Sequence, residues 1–363
     1  MSNVLMVGAD VHDESIRVRY ATGVADPTGK SFGGNRKSRE SMIQFLRHEA
    51  ERLGVQKIVV AYEASSAGYL LWDELKAAGI ECHVLAPTKI KTSVEERKKK
   101  TDDKDALRIF EALKNHVVAK SKLPSIWIPD EETRDAREIV RCRADWGHKI
   151  TAVKCEIQSL LKRQGLEKPG GMESNWTQAH RIWVKGHVEE GAKLLKEGVR
   201  QVLKSLMREL EFLEQEALEL DRGVAEKAEL PRYRKAVDAL DAMTGIRVLT
   251  AMIFLTELGN MGRFKNRRNV GGILGLVPSS NESGAANDRK GHITRLGSGR
   301  LRRALCQAVW CRIRSDSGPD RAFYEKVVAR NPKKKMIAVV ACMRRLGVKM
   351  WHVASSVQQK KTA

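Results

Sequence analysis

Two short apolar runs near the start of the chain each end in a single carboxylate residue. Residues 4–9 lead to Asp10, and residues 58–62 lead to Glu63. Mostly apolar runs of this length predict strands that are buried in a core sheet. Asp10 and Glu63 are therefore expected to emerge at the C-terminal ends of two neighbouring elements of an α/β fold.

A second pair of acidic residues opens a predicted helix. In Lys100-Thr101-Asp102-Asp103-Lys104-Asp105-Ala106, a helix that begins near Asp102 places Asp102 and Asp105 on one face, because side chains three residues apart are neighbours. Carboxylates that lie so close repel one another unless cations neutralise them. Hard oxygen ligands suit Mg²⁺ or Mn²⁺. The sequence thus predicts a metal site that can act on a phosphodiester, and its four ligands are Asp10, Glu63, Asp102 and Asp105.

Each of these four residues, taken alone, has a structural explanation. Asp and Glu are common at strand ends and in first helical turns, where they interact with the positive end of the helix dipole. Their joint order on strand, strand and helix is typical of a ribonuclease-H-like sheet, and this order favours metal binding. Asp103 stays open as a substitute for Asp102.

The first third of the chain alternates predicted strands and helices, which indicates an α/β domain at residues 1–123 with helices covering a mixed sheet. The order of its acidic residues is that of a ribonuclease-H-like sheet. Strands are predicted at residues 4–10, 15–20, 57–63 and 81–85, and helices at 39–53 and 69–78. Pro124 and Pro129 mark the boundary, after which the pattern becomes helical.

The middle region, residues 124–232, is predicted to contain two long helices. Apolar residues from Ile139 to Leu160 recur at intervals of three and four, and residues 165–171 interrupt them. The second helix has a heptad seam at Val199, Leu203, Leu206, Leu210, Leu213, Ala217, Leu220 and Val224. Such a seam packs against a partner helix, either from the same chain or from another subunit. We favour another subunit, and so expect a coiled-coil homo-oligomer, a dimer or a tetramer, followed by a mostly helical domain at residues 233–363.

The charge of the chain points to nucleic acid. The net charge is +21 and the pI is about 9.8, so phosphate neutralisation with release of counterions is the expected source of affinity. Aromatic residues make up only 5%, which argues against base stacking as the main mode of binding. Six scattered cysteines without a Cys-x-x-Cys pair favour a reducing, cytoplasmic location. No apolar stretch is long enough to span a bilayer, and no signal peptide is expected.

Clusters of basic residues mark the predicted contacts with the nucleic-acid backbone. One cluster directly precedes the paired aspartates, and two lie in the last third of the chain. A solvated surface is the alternative explanation for each of them. The predicted contact residues are Lys98, Lys99, Lys100, Arg263, Lys265, Arg267, Arg268, Arg289, Lys290, Arg295, Arg300, Arg302 and Arg303.

The order of short motifs along nearly the whole chain resembles one known family. The motifs are Gly8-Ala9-Asp10-Val11-His12, Glu63, Lys100-Thr101-Asp102-x-x-Asp105-Ala106, Arg263-Phe264, Gly275-Leu276-x-Pro278, Ser283-Gly284, Ile293-Thr294-Arg295-x-Gly297 and Leu301-Arg302. Each motif is short, but their joint order resembles the insertion-sequence transposases that have a RuvC-like DEDD domain, a helical middle and a C-terminal transposase domain, and that are described as bridge-RNA-guided recombinases.

The resemblance implies a recombinase in which Asp10, Glu63, Asp102 and Asp105 bind Mg²⁺ or Mn²⁺. It also implies that Ser283 attacks DNA, giving a phosphoserine intermediate and a free 3′ hydroxyl, in one composite site with the acidic residues. The implied partners are donor DNA, target DNA and a bridge RNA that acts as guide. Ser279, Ser280 and Ser298 are alternative nucleophiles. For any of these loop serines, a structural role in a turn is the other explanation.

Two other functions remain open from the residues alone. One is a RuvC-like metal-dependent endonuclease, in which water attacks and no serine takes part. The other is a nucleic-acid-binding scaffold with an inactive sheet domain, against which the complete acidic tetrad argues. An actin-like ATPase would need a glycine-rich phosphate turn after the first strand, where this chain has Asp10-Val11-His12-Asp13-Glu14.

Overall fold

The computed structural model describes residues 3–90, 101–189, 194–280, 290–315 and 318–359. The chain divides into two compact units, Met1–Ile128 and Pro129–Ala363. The segment after Pro124 belongs to the first unit because the amide of Ile126 donates a hydrogen bond of 2.8 Å to the carbonyl oxygen of Val84.

The first unit contains a mixed five-stranded sheet. Its strand order is β3-β2-β1-β4-β5, in which β1, β2 and β3 are antiparallel neighbours and β4 and β5 run parallel to β1. This topology confirms the predicted α/β fold class. The strands are β1 (Val4–Val11), β2 (Ser15–Thr22), β3 (Thr28–Gly33), β4 (Lys57–Glu63) and β5 (Glu81–Leu85).

Among the described residues of the first unit, three helices cover the two faces of this sheet, and a short 3₁₀ turn at Pro87–Lys89 follows β5. The helices α1 (Arg36–Arg52) and α2 (Leu70–Ala77) bury one face, and α3 (Asp102–Ala119) buries the other. Helix α1 begins one turn earlier than predicted, because the side chain of Asn35 accepts a hydrogen bond of 3.0 Å from the amide of Ser38.

The second unit is mostly helical, as predicted. A two-stranded antiparallel sheet and a 3₁₀ turn at Met261–Arg263 complete it. The strands are β6 (Pro278–Ser280) and β7 (Lys290–Ile293), and the helices are α4 (Glu131–Arg163), α5 (Gln178–Gly186), α6 (Glu197–Ala228), α7 (Arg234–Asp241), α8 (Val248–Leu258), α9 (Arg267–Ile273), α10 (Gly299–Ser315), α11 (Pro319–Arg330) and α12 (Lys335–Gln359).

Helix α8 lies at the centre of the second unit's larger core. It is apolar on nearly all sides, and Met252, Phe254 and Leu255 are almost completely inaccessible to solvent. A helix of this composition is stable in water only when other helices surround it. Within the part of the chain that the structure describes, no helix is both long enough and apolar enough to cross a membrane.

The two long helices α4 and α6 pack against each other in antiparallel orientation. Ion pairs at 2.8 Å between Arg143 and Asp221 and at 2.9 Å between Lys154 and Glu214 fix their alignment. The predicted heptad seam of α6 therefore contacts α4 of the same chain. The expectation that another subunit covers this seam is wrong, because an apolar stripe on α4 covers it. The heptad pattern of α6 alone could not identify α4 as the partner helix.

The seam provides a stability prediction with a matched control on the same helix. Leu210 is fully buried between α4 and α6, whereas the Leu218 side chain is exposed. We expect Leu210→Ala to lower the free energy of unfolding by about 2–5 kcal/mol, because it leaves a cavity. Leu218→Ala should change it by less than about 0.5 kcal/mol.

Urea denaturation followed by circular dichroism would measure both variants. Equal effects of the two substitutions would contradict the intrachain packing of α6.

Candidate metal centre

The register of the central strands places Asp10 and Glu63 on one face of the sheet. Ala9 on β1 pairs with Tyr62 on β4 in parallel register, so Asp10 and Glu63 are the next residues along the two strands. Side chains alternate between the faces of a strand. Both carboxylates therefore share the face that α3 covers, at the C-terminal ends of their strands, as the sequence pattern predicted.

Helix α3 supplies the second pair of carboxylates from its first turn. The side chain of Thr101 caps the helix by accepting a hydrogen bond from the amide of Lys104. Asp105 lies one turn before Ile109 on the buried face of the helix, and it is itself buried. The start of the helix thus positions Asp105 against the sheet and leaves Asp102 at its edge.

A glycine on β1 allows this helix to lie directly on the strand. A Cβ atom added to Gly8 would lie 2.6 Å from the carbonyl oxygen of Ala106 and closer still to the backbone of Phe110. Such a contact is too short for any side chain larger than hydrogen. Gly8 therefore allows the strand that carries Asp10 to lie next to the helix that begins at Asp102.

The structure brings Asp10 and Asp102 together, with His12 beside them. The Nε2 atom of His12 lies 3.2 Å from Oδ2 of Asp10 and 3.9 Å from Oδ1 of Asp102. One ligand atom from each of these three residues lies within 4.8 Å of the others. Burial raises the pKa of Asp10, His12 opposes this shift, and the carboxylates of Asp105 and Asp102 add to it.

Glu63 and Asp105 share a different partner. The Nη2 atom of Arg108 lies 3.0 Å from Oε1 of Glu63 and 3.2 Å from Oδ1 of Asp105. Arg108 is one turn after Asp105 on α3, so its guanidinium reaches both carboxylates. The four predicted acidic residues thus form two pairs in this structure, one beside an imidazole and one bridged by a guanidinium.

Asp103 points to a separate place, on β2. Its carboxylate accepts a hydrogen bond of 2.7 Å from Nε of Arg17 and a second bond from Arg19. These hydrogen bonds lower the pKa of Asp103. Of the two adjacent aspartates, Asp102 therefore lies beside Asp10, and Asp103 has the role of an ion-pair partner.

The residues present fit a divalent cation. Asp10 and Asp102 offer carboxylate oxygens, His12 offers a ring nitrogen, and these atoms lie close enough for one ion to contact all three. The buried carboxylate of Asp10 beside two other carboxylates has an unfavourable charge balance, which a cation would relieve.

Several predicted nucleic-acid contacts are accessible on the second unit. Lys265, Arg267, Arg268, Arg295 and Arg303 have exposed side chains. Exposed guanidinium and ammonium groups of this kind can form hydrogen bonds with phosphate oxygens.

Other predicted contact residues have partners within the second unit. Arg263 donates to the carbonyl oxygen of Leu258 at 3.0 Å, and Arg302 donates to that of Gly297 at 3.1 Å. Arg300 forms a bidentate ion pair with Asp145, in which Nε of Arg300 lies 2.9 Å from Oδ1 of Asp145. These three arginines therefore contact other groups of the second unit.

The remaining predicted contacts and the predicted nucleophile are not placed by the structure. Lys98, Lys99, Lys100, Ser283 and Arg289 lie outside the described residues. Lys290 begins β7, but its side chain also lies outside them, as does that of Ser280.

Two of the motifs that flank Ser283 meet in the second unit. The amide of Thr294 donates to the carbonyl oxygen of Val277 at 2.9 Å, beside the β6–β7 pair. Gly275 and Gly297 both have positive φ, and a Cβ on either would overlap the backbone of the other segment. In sequence, Ser283 lies between the paired strands β6 and β7.

Two of the alternative serines already have hydrogen-bond partners. The hydroxyl of Ser279 donates to the carbonyl oxygen of His292 at 3.0 Å, and that of Ser298 accepts a bond of 3.3 Å from the amide of Leu301 at the start of α10. Both hydroxyls therefore take part in local hydrogen bonds of the second unit.

Sequence reasoning did not identify His12 or Arg108 as members of the site. His12 was named only as a member of the motif that contains Asp10. The spacing Asp10-x-His12 at a strand end and the spacing Asp105-x-x-Arg108 on a helix were the available signals. Both spacings are frequent by chance, so neither is specific without the fold.

Comparison with known proteins assigns the chain to a family. A family model of the DEDD domain of IS110 elements, described as a transposase, matches residues 7–164, which include all four predicted acidic residues. A second model, described as the transposase IS116/IS110/IS902 family, matches residues 237–325. The chain belongs to the IS110 family of transposases. This IS110-family protein is therefore an enzyme that acts on DNA, as the sequence predicted.

Individual relatives agree with this assignment. The transposase of insertion sequence IS1533 from Leptospira borgpetersenii is 24% identical over 311 residues, which cover 85% of this chain and 86% of the relative. The protein y4qE of Sinorhizobium fredii (strain NBRC 101917 / NGR234), whose name assigns it provisionally as a transposase, is 26% identical over 331 residues, or 84% of this chain and 77% of the relative.

Proposed function

We propose that this transposase cleaves and rejoins DNA strands with a divalent cation held by the acidic residues of its first unit and a serine nucleophile in its second. The observation that carries the proposal is the convergence of Asp10, Asp102 and His12 at one end of the sheet, within the region that matches the DEDD domain. Asp10, Glu63, Asp102 and Asp105 are the proposed ligands of Mg²⁺ or Mn²⁺.

Each acidic side chain has a proposed part in holding the cation. Asp10 and Asp102 would supply one pair of ligand oxygens, and Glu63 and Asp105 would supply a second pair beside them. Arg108 keeps Glu63 and Asp105 close to each other and so prevents their repulsion from displacing α3. A divalent cation, when bound, would supply positive charge to the oxygens of the scissile phosphodiester.

Ser283 is the proposed nucleophile. Its Oγ atom would lose its proton and attack the phosphorus, and the bond from phosphorus to the 3′ oxygen would break. The 3′ oxygen would gain a proton and leave as a free 3′ hydroxyl, while the fragment on the 5′-phosphate side stays bonded to the serine as a phosphoester. This exchange conserves the energy of the phosphodiester bond for rejoining. The Ser283-Gly284 motif, which lies in sequence between the paired strands β6 and β7, supports the choice of Ser283.

The serine prediction can be tested with matched variants of one loop region. We expect the unmodified protein, incubated with its element's DNA and Mg²⁺, to form a covalent adduct that survives a denaturing gel and carries a phosphodeoxynucleotide on Ser283. Ser283→Ala should abolish the adduct, because no oxygen remains to attack, and Ser279→Ala should retain it. Mass spectrometry of the digested adduct locates the modified residue.

Cleavage without any adduct would instead assign the attack to water, as in a RuvC-like endonuclease. An unchanged adduct in Ser283→Ala would assign it to another side chain.

A bound bridge RNA is the proposed source of target choice. The chain has a large excess of positive charge, and Lys265, Arg267, Arg268, Arg295 and Arg303 are exposed and available to phosphates. Contacts of this kind fix a nucleic-acid duplex in place but carry no sequence information. Base pairing with a guide RNA would supply the missing specificity.

The RNA prediction is tested by rewriting the guide. Protein purified from cells that carry its complete element should contain an RNA from that element, and recombination should cease after ribonuclease treatment. An RNA with a rewritten guide segment should redirect insertion to the matching target, because pairing selects the site. Sequencing of the insertion junctions measures this, and an unchanged target or recombination without RNA would refute the role of a guide.

A further inference from the structure

His12 lies at the proposed metal centre but outside the acidic tetrad. It follows β1 directly, and its side chain is about half exposed, so it does not serve to fill the core. Its Nε2 atom faces the carboxylates of both Asp10 and Asp102. A hydrogen bond that merely orients Asp10 would explain the first contact, but it does not account for the second.

We propose that His12 is a direct nitrogen ligand of the divalent cation held by Asp10 and Asp102, and that it makes this site prefer Mn²⁺ over Mg²⁺. His12 has this role only if the acidic group binds a divalent cation, as proposed above. Neither the tetrad nor the family match assigns a ligand at this position.

The distances between the ligand atoms match a shared cation. Around an ion with bonds of about 2.1 Å, two ligand atoms lie about 3.0 Å apart when they are at right angles and about 4.2 Å apart when they are opposite. The separations of 3.2 Å and 3.9 Å from His12 Nε2 to the two carboxylate oxygens lie within this range. The imidazole therefore needs little movement to share an ion with both aspartates.

Among the residues that the structure describes, the arginines of this region bind other carboxylates, and His12 faces this pair of aspartates. Arg108 bridges Glu63 and Asp105. Arg17 and Arg19 bind Asp103. The pair formed by Asp10 and Asp102 thus meets an imidazole, which can coordinate a metal, and not a guanidinium, which cannot.

A nitrogen ligand changes which cation binds best. Mg²⁺ demands hard oxygen ligands and loses its water reluctantly, whereas later divalent metals accept imidazole more readily. Loss of His12 should therefore weaken Mn²⁺ binding more than Mg²⁺ binding. We expect His12→Asn to raise the Kd for Mn²⁺ about tenfold and the Kd for Mg²⁺ about threefold or less, because asparagine retains an oxygen but no ring nitrogen.

Pulsed electron paramagnetic resonance of the full-length protein with Mn²⁺ tests the proposal directly. A coordinated imidazole produces a nitrogen modulation, which should change when the histidines are labelled with ¹⁵N and disappear in His12→Asn. The matched control is His83→Asn. His83 also follows an acidic residue by two positions on a strand of this sheet, with its Nε2 atom 3.0 Å from Glu81, yet it lies away from the tetrad.

The outcomes separate the two proposals. A nitrogen signal that is lost in His12→Asn and retained in His83→Asn supports His12 as a ligand. Mn²⁺ binding without a nitrogen signal, or a signal that persists in His12→Asn, overturns the ligand role and leaves the acidic metal centre standing. Mn²⁺ binding that is unaffected by Asp10→Asn and Asp102→Asn overturns the metal centre itself.

Discussion

Replacing Asp102 by asparagine should reduce DNA strand cleavage about a thousandfold, whereas the same change at its neighbour Asp103 should leave cleavage within about threefold of the original rate. The charge removed is identical, and the residues are adjacent. Asp102 lies beside Asp10 and His12, while Asp103 binds Arg17 and Arg19 on β2. A metal ligand contributes several kcal/mol to the transition state, which corresponds to such a loss of rate.

The pair of variants also separates chemistry from stability. Asp103→Asn weakens an ion pair that is partly exposed, so its cost in the free energy of unfolding should be about 1 kcal/mol or less. Asp102→Asn should leave that free energy nearly unchanged, because the residue is exposed. Cleavage of labelled element DNA and urea denaturation provide the two measurements, and loss of cleavage in Asp103→Asn alone would reverse the assignment.

The sheet of the first unit was largely predictable because its strands are short, apolar and alternate with helices. Residues 58–62 and the run before Asp10 could form little else, so the positions of Asp10 and Glu63 followed from local pattern. Strand β3 (Thr28–Gly33) was not predicted, since it is polar, lies at the edge of the sheet and has only partial burial. Its pairing with β2 is a tertiary contact that no local pattern in residues 28–33 indicates.

The members of the site were harder to predict than its location. Sequence spacing left Asp102 and Asp103 as alternatives, because both lie in the first turn of α3. Two arginines on β2, Arg17 and Arg19, separate their roles by holding Asp103. That contact joins residues more than eighty positions apart, and no local pattern indicates it.

The partner of helix α6 shows a different limit. Its heptad correctly predicted which face is buried, apart from Met207, which is more buried than Leu206. A heptad pattern identifies the buried face of its own helix, but it does not identify the helix that packs against that face. The choice of α4 depends on complementary charges such as Arg143 with Asp221, which become apparent only when the antiparallel alignment is known.

Gly8→Ala should damage both the stability and the chemistry of the first unit, although it adds a single methyl group. The added Cβ would lie 2.6 Å from the carbonyl oxygen of Ala106 and closer to the backbone of Phe110. Backbone atoms of a packed helix cannot move aside as the end of a flexible side chain can, so α3 must shift away from β1. We expect a loss of about 3 kcal/mol in the free energy of unfolding.

The same shift would separate the residues of the metal centre. Asp102 and Asp105 move with α3, while Asp10 and His12 stay with β1, so cleavage and Mn²⁺ affinity should both fall in the folded variant. Gly198→Ala, in the first turn of α6, is the matched control, because its Cβ would meet nothing within 4 Å. We expect this substitution to change the free energy of unfolding by less than about 0.5 kcal/mol. If Gly8→Ala retained full stability and full cleavage, close contact between α3 and β1 would not be what assembles the site.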